Sequence, residues 1–252
     1  GAGYRAFDFP GKVIPNVAIG QSFVPSKTPT GAWRAPISNV YAFAEQSFIA
    51  EMAHNADQDH RDFLLDAIGD QGWIKEGDMA SLNTQRARAV IETATKAAGW
   101  GRKLAEGRGL GLAFFLSHSG HIAEVAEVSV EGKCITVHDV WVAADVGQVV
   151  NLSGLENQLQ GSVVDGLSTM AAQTITIKNG AIVQSNYDQY PLLRMSQSPR
   201  VHVEVVDSGY RPTGAGEPAL PPLAPAVCNA VFNACGERIR ALPISKAGFT
   251  IV

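Results

Sequence analysis

The stretch GRGLGLAFFLSHSGHIAEVAEVSVEGKCITVHDVWV, residues 107–142, decides the fold class. Three segments of it, residues 110–117, 122–130 and 134–142, are rich in apolar and β-branched side chains, and short turn-forming stretches separate them. Segments of this length and composition between turn residues are typical of consecutive β-strands. The stretch therefore predicts a sheet whose strands are mostly antiparallel.

Downstream of this stretch, the sequence predicts two helices and further strands. Asn179-Gly180 separates two short apolar segments, and this dipeptide supplies the positive φ angles of a type I′ hairpin turn. Residues 155–170 have the apolar spacing of a helix, and residues 201–206 alternate like a strand. A last helix is predicted with Pro225 in its first turn.

The segment upstream of the stretch has helical periodicity. After Ser38, four apolar residues recur every three or four positions and predict one buried helix face: Tyr41, Ala44, Phe48 and Met52. Ser38 or Asn39 is available as the N-cap of this helix. Two more helices are predicted, one ending at Gly69 and one spanning residues 83–98. Because helices come first and strands later, the fold class is α+β rather than a regular βαβ winding.

The same patterns divide the chain into three parts. Residues 1–37 contain five prolines and few periodic apolar positions, so we expect an irregular arm that packs on a partner. Residues 38–106 are the helical part, and residues 107–252 are the α+β part.

The composition argues against several classes of protein. The chain has 252 residues, 46% apolar and 17% charged, which is typical of a globular protein with a substantial core. Lys and Arg number 20 against 24 Asp and Glu, so no basic excess favours nucleic acid binding. The apolar runs are much shorter than the roughly 20 residues of a membrane helix, so we do not expect the chain to span a membrane. No basic-then-apolar signal segment opens the sequence.

Several motifs of known chemistry are missing from the sequence. None of the cysteines lies in an iron–sulfur type run, so the chain is expected to carry no cluster of its own: Cys134, Cys228 and Cys235. There is also no Gly-x-Ser-x-Gly elbow, P-loop or His-Glu-x-x-His motif. Serine hydrolysis, nucleotide hydrolysis and zinc peptidase chemistry therefore have no local support.

The most unusual local chemistry lies in residues 211–218, RPTGAGEP. Gly214 and Gly216 flank a single small residue just before Glu217, and a proline follows. The glycines let the backbone approach a bound group, and the proline restricts Glu217 to extended or turn geometry. A carboxylate aimed in this way can act as a base. The alternative is an ordinary tight turn with a solvated Glu217, which is the commoner outcome for Gly/Pro clusters.

A second candidate is the pair His118 and His121. They could be two metal ligands, but no third or fourth ligand with zinc-type spacing accompanies them. The favoured interpretation is a loop, which could line the edge of a substrate or cofactor site.

Several ordered segments resemble the C-terminal part of the molybdenum-binding subunit of the xanthine oxidase/aldehyde oxidase family. The similarity is greatest to its isoquinoline 1-oxidoreductase and aldehyde dehydrogenase branch, and it covers nearly the whole chain from about residue 31. The segments that carry it are residues 31–34, 43–48, 158–161, 165–167, 184–195, 211–222 and 224–243. The resemblance implies the fold of the C-terminal half of the molybdopterin-binding domain, with residues 38–252 forming this region.

The resemblance also implies a site and an activity. Glu217 is then the active-site base, Gln158 contacts the pterin, and other residues lie near the cofactor: Trp33, Arg34, Gly214, Ala215 and Gly216. The cofactor is molybdenum–molybdopterin cytosine dinucleotide, whose metal has no protein side chain as ligand. The implied reaction oxidises an aldehyde or an N-heterocycle, with water as the oxygen source. Glutamine at Gln160 departs from the glutamate often found there, and we have no functional interpretation of this difference.

The family's subunit is much longer than this chain, and the glycine-rich pterin segment of its N-terminal half is not found here. The resemblance therefore implies a partner chain that supplies that half. It also implies a small [2Fe–2S] subunit and possibly a cytochrome as electron acceptors, and it slightly favours the periplasm over the cytoplasm. Two alternatives remain: a scaffold subunit without catalysis, and a pocket that has been adapted to hydrolysis with Glu217 still the base.

Overall fold

The computed structural model describes residues 3–4, 8–11, 13–25 and 28–252. The helices of this part are α1 (Ser38–Asn55), α2 (His60–Ile68), α3 (Thr84–Ala97), α4 (Leu152–Ala171) and α5 (Leu223–Cys235). The strands are β1 (Arg108–Ser117), β2 (Gly120–Glu131), β3 (Cys134–Asp145), β4 (Ile177–Lys178), β5 (Ala181–Ile182), β6 (Arg200–Val205) and β7 (Thr250–Ile251). This mixture of helix and sheet confirms the predicted α+β class.

The main sheet has the order β1-β2-β3-β6, and β7 pairs with the other end of β3. Strands β1, β2 and β3 are antiparallel, as the opening stretch predicts. Strands β6 and β7 run parallel to β3, which the local pattern did not indicate. Asn179 and Gly180 both have positive φ in the predicted hairpin of β4 and β5.

Both faces of the main sheet are covered. On one face, α4 and α5 contribute the side chains that pack on the strands: Leu159, Val163, Leu167, Val227 and Val231. On the other face, the side chains come from α2 and α3: Leu64, Ile68, Val90, Ile91 and Ala94. The strands are apolar on both faces for this reason. The helical part and the α+β part therefore share one sheet.

Helix α5 lies unusually close to β1. A Cβ added at Gly111 would be 2.1 Å from the Ala230 nitrogen and 2.2 Å from the Ala226 carbonyl oxygen. Both of these are backbone atoms of α5, so they cannot rotate away as a side chain would. The close approach therefore requires glycine at this position of the strand.

The buried face of α1 differs from the predicted one. The buried side chains are Ala42, Gln46, Ser47, Ile49, Ala50 and Ala53, whereas Phe48 of the predicted stripe is 61% exposed. Apolar residues lie all around this helix, and its small residues form the closest packing surface. The N-cap prediction is also wrong, because the helix begins at Ser38 after Ile37 with no capping side chain. Asn39 instead donates a hydrogen bond from Nδ2 to the Arg34 carbonyl oxygen at 2.7 Å.

Candidate active site

The carboxylate of Glu217 is held through both of its oxygen atoms. The backbone nitrogen of Ala35 donates to Oε1 at 3.1 Å, and His118 Nε2 lies 2.9 Å from Oε2. The side chain keeps 38% of its surface exposed. Glu217 is therefore fixed in direction and still partly exposed, as a base that meets a substrate must be.

One packing contact and two hydrogen bonds hold the segment that carries Glu217. A Cβ added at Gly120 would lie 3.0 Å from side-chain atoms of Pro218, so the tip of the β1–β2 hairpin contacts the residue after the glutamate. Thr213 donates from its backbone nitrogen and from Oγ1 to the Val146 carbonyl oxygen, at 2.9 and 3.1 Å. The segment is therefore attached to the ends of three strands of the sheet.

Arg34 connects the glycine segment to helix α4. Its Nε donates to the Gly216 carbonyl oxygen at 2.7 Å, and its Nη2 lies 3.2 Å from the Gln158 carbonyl oxygen and 3.3 Å from Gln158 Oε1. Its Nη1 is 3.4 Å from Asp165 Oδ2. The structure thus brings Arg34 and Gln158 next to the Gly216-Glu217 segment, although these three parts of the site are far apart in the sequence. Trp33 is 43% exposed, and its role beside a cofactor stays a prediction.

The two residues that contact Glu217, Ala35 and His118, have positive φ, and so do two non-glycine residues close to them in the sequence. Ala35 has φ of 56° although it is fully buried, and Ile37 has φ of 69°. His118 and Ser119, at the hairpin tip, have φ of 51° and 65°. Such conformations cost roughly 1–3 kcal/mol each and persist where the surrounding structure imposes them, often at functional sites. The strain therefore favours a functional interpretation of this region over an ordinary turn.

A buried ion pair anchors the loop that leads to the glycine segment. Arg86 of α3 forms two hydrogen bonds of 2.7 Å to the carboxylate of Asp145 at the end of β3. Ser208 Oγ and the Gly147 nitrogen also donate to Asp145, at 2.7 and 3.0 Å. Burial alone would raise the pKa of Asp145, but these hydrogen bonds, the one from Arg86 first, lower it. Asp145 is therefore a carboxylate that holds helix, sheet and loop together.

The interpretation of His118 and His121 as parts of a loop holds for His118, which lies in the turn between β1 and β2, but not for His121, which lies in strand β2. His121 is buried in β2, where its Nε2 accepts a hydrogen bond from the Asn83 nitrogen at 3.1 Å. Burial lowers the pKa of His121 to about 3, so its ring is neutral at physiological pH. His118 turns to Glu217 instead. Within the described residues, no group of three or more His, Cys, Asp or Glu side chains could hold a metal ion.

The sequence placed His118 at the possible edge of a substrate or cofactor site, but it indicated neither its contact with Glu217 nor the role of Ala35. Ala35 acts through its backbone nitrogen, which leaves no signal in the residue type. His118 did have a signal, because it begins a two-residue turn between two strands. Asn-Gly and similar pairs are favoured in such turns, and His-Ser is not.

Comparison with known proteins gives the family. Residues 44–199 match the model of the molybdopterin cofactor-binding domain family. The chain belongs to this family. Within it, the chain is the C-terminal part of a molybdenum-binding subunit of the xanthine oxidase family, as the sequence motifs predicted.

Two curated relatives show how much of a whole subunit the chain represents. The isoquinoline 1-oxidoreductase subunit beta of Brevundimonas diminuta is 32% identical over 211 residues, which are 81% of this chain and 25% of the relative. The membrane-bound aldehyde dehydrogenase (pyrroloquinoline-quinone) of Gluconacetobacter polyoxogenes is 29% identical over 230 residues, 88% of this chain and 30% of the relative. The chain thus spans less than a third of the length of these two relatives.

A solved structure confirms the fold. The aldehyde oxidoreductase from Desulfovibrio desulfuricans ATCC 27774 superposes with a TM-score of 0.63 over 84% of this chain and 40% of that chain, at 12% sequence identity. The molybdopterin-binding fold predicted from the motifs is therefore present. No helix in the described part of the chain combines the length and the apolar character needed to cross a membrane.

The groups beside Glu217 suit the cofactor in the family's name. Among the described residues, none accepts a hydrogen bond from the backbone nitrogens of Gly214, Ala215 and Gly216. An added Cβ at Gly214 would meet nothing within 4 Å, and one at Gly216 would lie 3.7 Å from Gln158 Oε1. A bare backbone edge with free donors beside an amide side chain is suited to a phosphate group and to the polar edge of a pterin.

Proposed function

We propose that this chain is the C-terminal part of the catalytic subunit of a molybdenum hydroxylase that oxidises an aldehyde or an N-heterocycle, with Glu217 as the base. One observation carries the proposal: the carboxylate of Glu217 is fixed through both oxygens where the Arg34, Gln158 and Gly216 segments meet. Family membership supplies the class of chemistry, and this geometry supplies the position of the base.

The proposed division of labour follows from the contacts. The molybdenum–molybdopterin cofactor, in its cytosine dinucleotide form, would supply the two-electron oxidation, with water as the source of oxygen. Glu217 would accept the proton from the attacking water-derived oxygen, because its carboxylate is fixed in direction and partly exposed. The edge formed by Gln158 and the backbone of residues 214–216 would hold the pterin. Arg34 would hold Gln158 and the backbone of residues 214–216 in fixed relative positions, and Trp33 would lie beside them.

The proposal includes further chains. A partner would supply the N-terminal half of the subunit, a small [2Fe–2S] protein would accept the electrons, and a cytochrome could follow it. In support, the arm exposes large apolar side chains that the described residues leave uncovered: Val17, Ile19, Phe23 and Val24. Exposed apolar groups of this kind are typical of surfaces that meet another protein segment. The compartment stays open between the periplasm, which the resemblance slightly favours, and the cytoplasm.

The test is to purify the assembly that contains this chain and to measure its molybdenum, pterin and pyrroloquinoline quinone content. An electron-acceptor dye then reports oxidation of aldehydes and N-heterocycles. The proposal predicts molybdenum with pterin and bleaching of the dye that depends on substrate. An assembly without metal or pterin would favour the scaffold alternative. Pyrroloquinoline quinone in their place would contradict molybdenum–molybdopterin as the cofactor. Hydrolysis of a substrate without bleaching would favour the hydrolytic alternative.

A further inference from the structure

His118 occupies a turn position with positive φ, a conformation that is uncommon for residues other than glycine. Ser117 pairs with Gly120, so His118 and Ser119 are the two residues that connect β1 and β2, and both have positive φ. The hairpin of β4 and β5 makes the same kind of turn with Asn179-Gly180, the residues that this conformation prefers. Histidine adopts positive φ more readily than most residues but less readily than glycine, so what it adds at this position is its side chain.

Both ring nitrogens of His118 are engaged. Nε2 lies 2.9 Å from Glu217 Oε2, and Nδ1 lies 2.8 Å from Ser117 Oγ. Ser117 Oγ also lies 2.9 Å from Ser38 Oγ. A ring held at both nitrogens has a fixed orientation, in the way that an outer partner orients a histidine in many active sites.

A contribution to stability does not explain this arrangement. The side chains of His118 and Glu217 are 37% and 38% exposed, and even a charged contact at this exposure contributes little to stability. The two contacts on Glu217 engage different oxygens, Ala35 on Oε1 and His118 on Oε2. Together they fix the rotation of the carboxylate, which neither contact could do alone.

We propose that His118 is a positioning residue, which orients the carboxylate of Glu217 for proton transfer. This inference rests on the function proposed above and adds a residue to its machinery. Misplacement of a reacting group by about 1 Å can cost roughly 100-fold in rate, so orientation of the base is expected to affect kcat more than KM.

The positive φ at residue 118 allows a clean test. His118→Gly removes the imidazole and places the residue best suited to this backbone in the turn. Ser119→Gly is the matched control, because it relieves the neighbouring positive φ and keeps the imidazole. In the purified assembly we expect kcat to fall roughly 10- to 100-fold for His118→Gly, with a smaller change in KM, and to stay near the wild-type value for Ser119→Gly. Free imidazole should restore part of the lost kcat.

A second measurement does not depend on the loaded enzyme. Calorimetry on the cofactor-free assembly should show that imidazole binds the His118→Gly variant and does not bind the wild type. Adding Glu217→Gln should weaken this binding by roughly 10-fold, since the charged acceptor is lost. If imidazole binds the His118→Gly variant with the same affinity whether residue 217 is Glu or Gln, the proposal is overturned.

Other outcomes also decide the matter. Wild-type kcat in His118→Gly, an equal loss in Ser119→Gly, or a loss that imidazole leaves unchanged would each overturn the positioning role. If the wild-type assembly oxidises no aldehyde or heterocycle, the proposed function fails. The calorimetric result still decides whether His118 holds Glu217 in that case.

Discussion

At the scale of single residues, two glutamates show how surroundings give one side chain different properties. Glu217 meets two hydrogen-bond partners and solvent, whereas Glu124 lies fully buried in β2. Neither carboxylate oxygen of Glu124 has a partner among the described residues. Burial raises the pKa of Glu124 well above its ordinary value of 4.5, so folding favours the protonated form of this group.

Glu124→Gln should therefore be more stable than the wild type, and the difference should increase as the pH rises. The unfolded carboxyl group loses its proton above about pH 4.5 while the folded one keeps it, so wild-type stability falls as the pH rises above that value. The variant avoids this loss, and its advantage in unfolding free energy should grow by up to about 1.4 kcal/mol per pH unit. Denaturant unfolding at pH 5 and pH 8 measures the effect. An equal difference at both pH values would contradict a protonated Glu124.

At the scale of elements, local pattern predicted the existence of helices and strands better than their faces and pairing. Helix α1 was predicted, but its buried face was not, because Phe48 and Ala50 are both apolar and only packing selects between them. The parallel pairing of β6 with β3 depends on the whole segment between them, so no local spacing indicates it. Pairing between elements that are distant in the sequence can be seen only in the structure.

The contact between β1 and α5 gives a prediction at this scale. Gly111→Ala would place a Cβ against backbone atoms of α5, so the helix has to move, and overpacking of this kind costs about 1–3 kcal/mol. Gly20→Ala is the control, because an added Cβ there meets nothing within 4 Å. The denaturation midpoint should fall for the first variant and stay unchanged for the second. Equal midpoints would show that α5 does not lie this close to the strand.

At the scale of the whole molecule, the candidate site collects groups from segments far apart in the chain. The motifs identified Glu217, Gln158, Arg34 and the glycine segment, and the structure brings them together. The backbone contact of Ala35 and the strained hairpin tip could not be found from motifs, because each depends on folding. The Arg86–Asp145 pair fixes this arrangement by connecting α3, β3 and the loop that leads to residue 217.

Arg86→Met should lower the stability of the protein and weaken the attachment of the loop that leads to Glu217. Removal of one partner leaves the buried Asp145 carboxylate with fewer donors, and breaking a buried pair in this way costs about 3–5 kcal/mol. Lys96→Met, at an exposed position on the same helix, is the control and should change stability little. Thermal unfolding of the assembly, together with its molybdenum content, measures both effects. A midpoint equal to that of the control would contradict the anchoring role.

The most direct test of the central claim is the turnover of Glu217→Gln in an assembly whose molybdenum and pterin content equals that of the wild type. The amide keeps the shape of the side chain and cannot act as the base. We expect kcat to fall by at least about 100-fold, which is the lower range of general-base contributions. Near-normal turnover at full cofactor occupancy would contradict Glu217 as the base.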